Sequence, residues 1–170
     1  EAHPVALANY SQHMKMVGFL TEQGRLAPAA LHAGELSFKY ATPADMSFHV
    51  GEAVRVAGAR RIGHGTALPH EDGAEALAAE MAAKGVLVEV NLTSNDVILE
   101  VSGERHPYAW LRERGVPISL STDDAGILRI DLSHEYARAA DEGAGYVDLK
   151  RSARNALAYS FLAGEGLWTD

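Results

Sequence analysis

The feature that most limits the fold of this chain is a fourfold alternation of strand-like and helical segments. Short segments at 28–33, 60–64, 86–91 and 116–122 are bounded by turn-forming residues, and the clearest of them are apolar and β-branched. Strands that are apolar on both faces are typical of parallel sheets, whose faces are covered by crossover helices. The sequence therefore predicts an α/β protein. Periodicity alone leaves two architectures open, a doubly wound sheet and part of a (β/α)8 barrel.

The helical segments are placed by their apolar spacing and by glycines that follow their ends. They are predicted at 4–24, 45–57, 73–85, 108–115, 133–142 and 148–162. The stretch that follows the third strand is rich in serine, asparagine and glycine, and it is predicted to be a loop. Residues 123–126 are predicted to form the loop at the carboxyl end of the fourth strand.

Composition excludes several classes of protein. The 170 residues carry a net charge of −8, which argues against a nucleic-acid partner, because such partners select clustered lysine and arginine. No stretch approaches the ~18 apolar residues of a membrane span, so no membrane partner is expected. With no cysteine there is no disulfide and no thiolate ligand. The sequence leaves the compartment open between cytoplasm and periplasm or exterior, and it leaves the oligomeric state open as well.

Polar side chains follow each of the four predicted strands. In chain order they are His32 with Glu35, Gly63-His64-Gly65, Thr93-Ser94-Asn95, and Asp123 with Asp124. Each group alone has an ordinary structural explanation as a capped or solvated loop residue. The carboxyl ends of parallel strands meet at one edge of the sheet, so we expect these groups to converge. Histidine and carboxylate together favour a hard or borderline metal such as Zn2+.

Three motifs at these strand ends, LHAGE, RIGHG and SLSTDD, occur in this order. Together with VEVNLTSN and RNALAYSFL, they closely resemble the adenosine deaminase family of the metal-dependent amidohydrolase superfamily. The resemblance runs from about residue 4 to Trp168. The residues that flank the motifs are most similar to those of the deaminase-related growth factor branch and its bacterial relatives. It implies that the chain is the carboxyl-terminal half of a (β/α)8 TIM barrel, with about four parallel strand-helix units.

The resemblance also implies a metal site. His32 matches the zinc-ligand histidine of the HAGE motif, and Asp123 matches the carboxylate zinc ligand. The family's first strand carries a His-x-His pair that supplies two further ligands, and no His-x-His occurs here. A barrel of this type needs ~250 residues. We therefore expect 1–170 to be a single-domain fragment whose amino-terminal half is missing, with one Zn2+ per site and its other ligands outside this chain.

Roles in catalysis follow from the same resemblance. Glu35 matches the acid that protonates the purine N1, and His64 matches the histidine that orients the attacking hydroxide. Gly34 and Asp124 match positions that face the purine, Gly34 by close approach and Asp124 by a hydrogen bond. In the short mammalian branch of the family, proline follows the second aspartate, whereas Ala125 follows Asp124 in this chain. An acid that works at neutral pH should have a raised pKa, so we expect this of Glu35.

The function implied is zinc-dependent hydrolytic deamination of a purine nucleoside, adenosine to inosine plus ammonia. Without its amino-terminal half, the chain alone is expected to be inactive. Two alternatives stay open: an amidohydrolase acting on another aminopurine or a modified nucleoside, and a non-catalytic half-barrel that serves as an assembly module. Three further histidines, His70, His106 and His134, are predicted to be surface or loop residues.

Overall fold

The computed structural model describes residues 1–26 and 28–164. Its strands are Ala30–Ala33 (β1), Arg61–His64 (β2), Leu87–Val90 (β3) and Ile118–Leu120 (β4). Its helices are Pro4–Glu22 (α1), His49–Arg55 (α2), Ala74–Lys84 (α3), Leu92–Leu99 (α4), Tyr108–Glu113 (α5), Ala125–Leu128 (α6), Leu132–Asp141 (α7) and Tyr146–Ala158 (α8). Among the helices in these ranges, none combines the length and the apolar composition that crossing a bilayer requires.

The four strands form one parallel sheet in the order β1-β2-β3-β4. This confirms the predicted strands and their direction, although each is shorter than its predicted range. A doubly wound sheet reverses its strand order at a switch point, whereas a (β/α)8 barrel keeps consecutive order. The consecutive order therefore selects half of a (β/α)8 barrel from the two architectures that the sequence left open.

The core lies between the sheet and the helices that cover it. Ile62, Val88 and Val90 are fully buried in the strands, and they pack with Leu77 and Met81 of α3. Because β-branched side chains suit a pleated surface and α3 consists of strong helix formers, local preference and burial agree here. Helix α3 ends where predicted, since Gly85 takes a left-handed φ of 64° and closes the last turn.

Two predicted loops are helical in the structure. The stretch after β3 forms α4, because Leu92 and Leu99 are buried and Glu135 receives the amide of Thr93 at the first turn. The residues after Asp124 form the single turn α6 rather than a loop.

Several helix boundaries also differ from the prediction, most of all the start of α2 and the end of α8. Helix α2 begins only at His49, because residues 42–47 are held in turns by Thr42 and Asp45. Helix α8 ends at Ala158, and the predicted resemblance as far as Trp168 extends beyond the described residues.

Strand β4 lies at one edge of the sheet. Within the described ranges it pairs only with β3, as its place in a half barrel predicts. Its outward backbone groups nevertheless have partners on α8. The amide of Leu120 donates to Ser152 Oγ at 2.9 Å, and Asn155 Nδ2 donates to the Ile118 carbonyl at 2.9 Å. Helix α8 therefore covers part of this edge.

Candidate functional site

The carboxyl edge of the sheet brings four polar residues together. His32 lies in β1 opposite Gly63 of β2, and Ala33 pairs with His64, the last residue of β2. Glu35 follows β1 by two residues, and Asp123 follows β4 by three. Because the strands are parallel and in register, all of these side chains reach the same end of the sheet.

Glu35 is the central contact of this cluster. Its Oε2 lies 3.5 Å from His32 Nδ1 and 3.6 Å from His64 Nε2. Asp123 Oδ2 lies 3.9 Å from His64 Nε2. The two imidazole rings meet edge to face, with centroids 4.8 Å apart. The side chain of His64 is 1% exposed and that of His32 is 64% exposed, so the cluster runs from a buried histidine to an open one.

Unusual backbone conformations hold several of these residues in place. His64 and Asp123 have φ values of 69° and 53°, in the left-handed region that residues other than glycine rarely adopt. Each such residue costs on the order of 1–3 kcal/mol, and the surrounding fold must supply that energy. Gly63 leaves room for a neighbour, because a Cβ atom there would lie 3.0 Å from His32 Cδ2.

A buried series of hydrogen bonds supports His64 through its Nδ1 atom. Its Nδ1 lies 3.0 Å from Asn95 Nδ2 and 3.3 Å from Asn91 Nδ2. Asn95 Oδ1 lies 3.0 Å from His106 Nε2, and His106 Nδ1 accepts the amide of Tyr108 at 3.1 Å. His106 lies in a loop, which is one of the two predicted alternatives, but it is 3% exposed and is therefore not a surface residue. His70 and His134 are exposed, as predicted.

Helix α4 places polar groups on both sides of the cluster. Ser94 Oγ donates to Asp123 Oδ2 at 2.6 Å, and Asn95 reaches His64. The first turn of α4 is anchored by Glu135 of α7, whose fully buried carboxylate accepts the amide of Thr93 at 3.2 and 3.3 Å. The predicted convergence of the third strand's polar residues on the other strand ends is confirmed for Ser94 and Asn95.

The electrostatics of the cluster differ from the expectation for Glu35. Burial acts to raise its pKa, but the contact with His32 and the charges of both histidines outweigh burial, and the pKa lies below its ordinary value. The expected raised pKa is therefore wrong for this structure. The contact with Glu35 raises the pKa of His32, while burial lowers the pKa of His64 and favours its neutral form.

The donor set suits a metal ion. Within the described residues, one group of three side chains, His32, Glu35 and His64, brings ligand atoms within 4.8 Å of one another. Imidazole nitrogen and carboxylate oxygen are the ligands that zinc takes in proteins without cysteine. The Nδ1 of His32 faces Glu35, so its Nε2 is the atom left for a metal. Asp123 lies outside this group of three but beside His64.

Two predicted substrate positions have structural surroundings of their own. Gly34 has a φ of 69°, and a Cβ atom there would lie 2.8 Å from Val50 Cγ2, so the fold itself excludes a side chain. Asp124 is exposed at the start of α6, and in the part of the chain that the structure describes its carboxylate makes no hydrogen bond or ion pair. Contact of either residue with a purine stays a prediction.

Sequence reasoning passed over three residues of the site: Asn91, His106 and Glu135. Asn91 directly follows a strand, and this position was the available signal. For His106 and Glu135 the sequence carries no such signal, because both lie in helical or turn segments of ordinary polarity. Their roles arise from contacts with residues 11 and 42 positions away.

Comparison with known proteins agrees with this geometry. The sequence model of the family described as adenosine deaminase matches residues 4–166. Adenosine deaminase of Escherichia coli strain SMS-3-5 is 32% identical over 120 residues, which cover 68% of this chain and 34% of that protein. The chain therefore spans about a third of the length of the curated relatives it matches.

Solved structures show the same fold. The apo N6-methyl-AMP deaminase of Arabidopsis thaliana is 28% identical with a TM-score of 0.65, covering 85% of this chain and 39% of that one. An amidohydrolase from Burkholderia ambifaria with bound Zn is 21% identical with a TM-score of 0.71, covering 88% and 39%. These structures match the chain to about 40% of a larger barrel, in agreement with a half barrel.

Proposed function

The chain belongs to the adenosine deaminase family, and from that premise we propose that it forms the carboxyl-terminal half of a zinc-dependent hydrolase that converts adenosine and water to inosine and ammonia. The observation that carries this proposal is the meeting of His32, Glu35 and His64 at one edge of the sheet, with ligand atoms within 4.8 Å of one another. A purine nucleoside is the substrate, and the amino-terminal half of the barrel supplies the rest of the pocket.

Some residues of this chain are proposed to bind the metal directly, and others hold those ligands in position. His32 would hold the ion through Nε2, because its Nδ1 faces the Glu35 carboxylate. Asp123 would contribute a carboxylate oxygen, and Ser94 Oγ donates a hydrogen bond to that carboxylate. When bound, zinc lowers the pKa of water to ~7 and so makes a nucleophile available at neutral pH. Its remaining ligands come from residues outside this chain.

Glu35 and His64 act on the reacting atoms. The nucleophile adds to the ring carbon that bears the amino group, and the electron pair displaced from the ring moves onto N1. Glu35 takes a proton from the attacking water and gives it to N1. The remaining hydroxyl proton passes to the amino group, the bond from carbon to that nitrogen breaks, and ammonia leaves as the ring carbonyl of inosine forms. His64, buried beside Glu35, directs Nε2 toward the site and orients the attacking oxygen. Gly34 and Asp124 contact the base.

For Glu35 to act as the acid, its pKa must rise when the site is complete. Here the neighbouring histidines lower it. Enclosure by the substrate adds to the desolvation that raises the pKa of a carboxyl group. This change acts in the direction that the proposed role requires.

A second candidate substrate is an aminopurine nucleotide. The observation that favours it is the likeness to the N6-methyl-AMP deaminase of Arabidopsis thaliana, which is 28% identical over 85% of this chain. The same four residues would perform the same displacement at the ring carbon, with methylamine in place of ammonia as the leaving group. The two candidates differ in the parts of the pocket that contact the leaving amino group, the sugar and any phosphate.

The test is a substrate comparison with the natural full-length protein loaded with zinc. Release of ammonia or methylamine is measured with adenosine, adenine, AMP and N6-methyl-AMP. Adenosine is expected to have the highest kcat/KM. A preference for N6-methyl-AMP would select the second candidate. No turnover of any aminopurine by a protein that holds zinc would contradict the proposed function.

A further inference from the structure

The hydrogen bonds that connect Tyr108, His106, Asn95 and His64 have only one possible donor-to-acceptor direction. The series begins with the backbone amide of Tyr108, which can only donate, and this amide meets Nδ1 of His106 at 3.1 Å. His106 Nδ1 is therefore the acceptor nitrogen. Burial lowers the pKa of His106 to about 3, so its ring is neutral and its proton lies on Nε2.

His106 in turn fixes the orientation of the side-chain amide of Asn95. The protonated Nε2 of His106 donates to Asn95 Oδ1 at 3.0 Å, which leaves the amide nitrogen of Asn95 to face the other way. That nitrogen lies 3.0 Å from Nδ1 of His64. Because an amide NH2 group can only donate, Nδ1 of His64 must accept, and the ring proton of neutral His64 lies on Nε2.

Asn91 alone could not enforce this. Its Nδ2 lies 3.3 Å from the same nitrogen of His64, but among the described residues its Oδ1 has no hydrogen-bond partner. Rotation of its amide by half a turn would present an acceptor to His64 and favour the other tautomer. Asn95 cannot rotate in this way, because His106 occupies its oxygen.

We propose that His106 is a positioning residue, which acts through Asn95 to hold His64 in the tautomer with the proton on Nε2. This nitrogen faces Glu35 Oε2 at 3.6 Å and Asp123 Oδ2 at 3.9 Å. A protonated Nε2 donates to the attacking oxygen and has no lone pair for a metal. Of the two histidines in the cluster, only His32 then remains as a ligand.

The tautomer follows from the hydrogen bonds alone, and only its effect on turnover rests on the proposed function. If His106 had only a structural role, its loss would lower the stability of the protein and the fraction of molecules with a correctly folded site. It would not move the proton from one ring nitrogen of His64 to the other. Position and protonation can therefore be separated by experiment.

The test uses the natural full-length protein, loaded with zinc and labelled with 15N in its histidine rings. NMR chemical shifts distinguish a ring nitrogen that bears a proton from one that does not, and a His64→Gln variant identifies the signals of His64. In the unmodified protein, Nε2 of His64 is expected to bear the proton. In Asn95→Asp the carboxylate can only accept, so the proton is expected to move to Nδ1.

Kinetics give the second measurement. Asn95→Asp and His106→Leu are expected to lower kcat by at least tenfold with little change in KM or zinc content. His106→Gln, whose side-chain amide can donate to Asn95 Oδ1, is the matched control and should retain most of kcat. A bare Nε2 on His64 in the unmodified protein would overturn the proposal. So would an unchanged tautomer in Asn95→Asp, or an equal loss of kcat in His106→Gln and His106→Leu.

The proposed function can fail separately. If the unmodified protein deaminates no aminopurine, the NMR measurement still decides which nitrogen of His64 bears the proton. The positioning role of His106 would then stand or fall on the tautomer of His64 in His106→Leu, in which Asn95 Oδ1 is no longer held.

Discussion

Glu35 is subject to two opposing demands at the scale of a single residue. As a general acid it must hold a proton near neutral pH, yet His32 and His64 lie 3.5 and 3.6 Å from its Oε2 and lower its pKa. The same contacts make Glu35 a candidate metal ligand beside its catalytic role. Substitution by glutamine separates these roles, because loss of the acid lowers kcat alone, whereas loss of a metal ligand would lower the zinc content as well.

We predict that Glu35→Gln lowers kcat by at least 100-fold in the natural full-length protein and leaves zinc content unchanged. General acid catalysis contributes about 10²–10⁴-fold, which sets the scale of this loss. His32→Ala is expected to lose zinc as well as activity. Turnover is measured by ammonia release and zinc by atomic absorption, with the exposed Glu22→Gln as control. Near-normal turnover in Glu35→Gln, or full zinc in His32→Ala, would show that the roles are wrongly assigned.

Gly63 offers a steric test of the metal site. A methyl group there would lie 3.0 Å from Cδ2 of His32, and the φ of Gly63 is one that alanine tolerates. We predict that Gly63→Ala displaces the His32 ring and weakens zinc binding by roughly 10–100-fold, the range for changes that disturb a ligand's orientation. Zinc affinity is measured by competition with a chelator. Gly145→Ala is the control, because a Cβ atom there meets nothing closer than Asp148 Oδ2 at 3.9 Å. Equal zinc affinity in the two variants would contradict the prediction.

At the scale of whole elements, two helices begin on buried carboxylates from other segments. Glu135 accepts a hydrogen bond from the amide of Thr93 in the first turn of α4. Glu71 accepts hydrogen bonds from the amides of Val50 and Gly51 at the start of α2. An acidic group near a helix N-terminus satisfies free amides and interacts favourably with the helix dipole. These contacts tie α4, which carries Ser94 and Asn95, to α7, and they fix α2 against the segment after β2.

The stability conferred through Glu71 should depend on pH. Burial raises its pKa from 4.5 to about 7, against the opposing effect of the two amides. Between these values the folded protein keeps a proton that the unfolded chain has lost. The contribution to the free energy of unfolding is therefore full below pH 4.5 and falls as the pH rises through 7. The total loss is on the order of 3 kcal/mol.

We predict that Glu71→Gln removes this part of the pH dependence, because the amide does not titrate. Urea unfolding of the natural full-length protein at several pH values between 4.5 and 8 measures the effect. The control is Glu22→Gln, an exposed glutamate on α1, which should follow the unmodified protein. An unchanged slope of stability against pH in Glu71→Gln would contradict the assignment of the raised pKa.

At the scale of the whole molecule, the described part of the chain leaves apolar surface and an incomplete sheet. Strand β4 has no strand partner on its outer side within these residues, and α8 satisfies two of its backbone groups through Ser152 and Asn155. Large apolar side chains are also exposed, with Phe19 at 59% and Ile127 at 80%. Exposed strand edges and apolar patches favour association with other chains.

We predict that the 170-residue chain produced alone associates with itself, and that Ser152→Ala with Asn155→Ala increases this association by opening the β4 edge. Light scattering after gel filtration measures both. In the natural full-length protein the same double substitution should have little effect, because a strand from outside this chain is expected to pair with β4. A monodisperse monomer that melts cooperatively, made from these residues alone, would count against the prediction.

The sequence by itself determined the direction of the sheet and the edge at which the chemistry lies. Buried strands alternating with helices require parallel pairing, and parallel pairing places His32, His64 and Asp123 at one edge. Strand ends were less certain, because Pro117 and Ser121 lie outside β4 although their backbone groups still bond to β3. These inferences succeed because they depend on periodicity and on the order of segments, both of which are local properties of the chain.

Only the tertiary structure decided how the edge is supported and charged. It made α4 a helix, because a carboxylate 42 residues away caps its start. It buried His106 behind Asn95, and it added the charge of His64 to the local contact with His32 that lowers the pKa of Glu35. Each of these properties arises from contact between segments that are distant in the chain. Hydrogen-bond direction and desolvation depend on which groups meet in space, and the local pattern of residues does not contain that information.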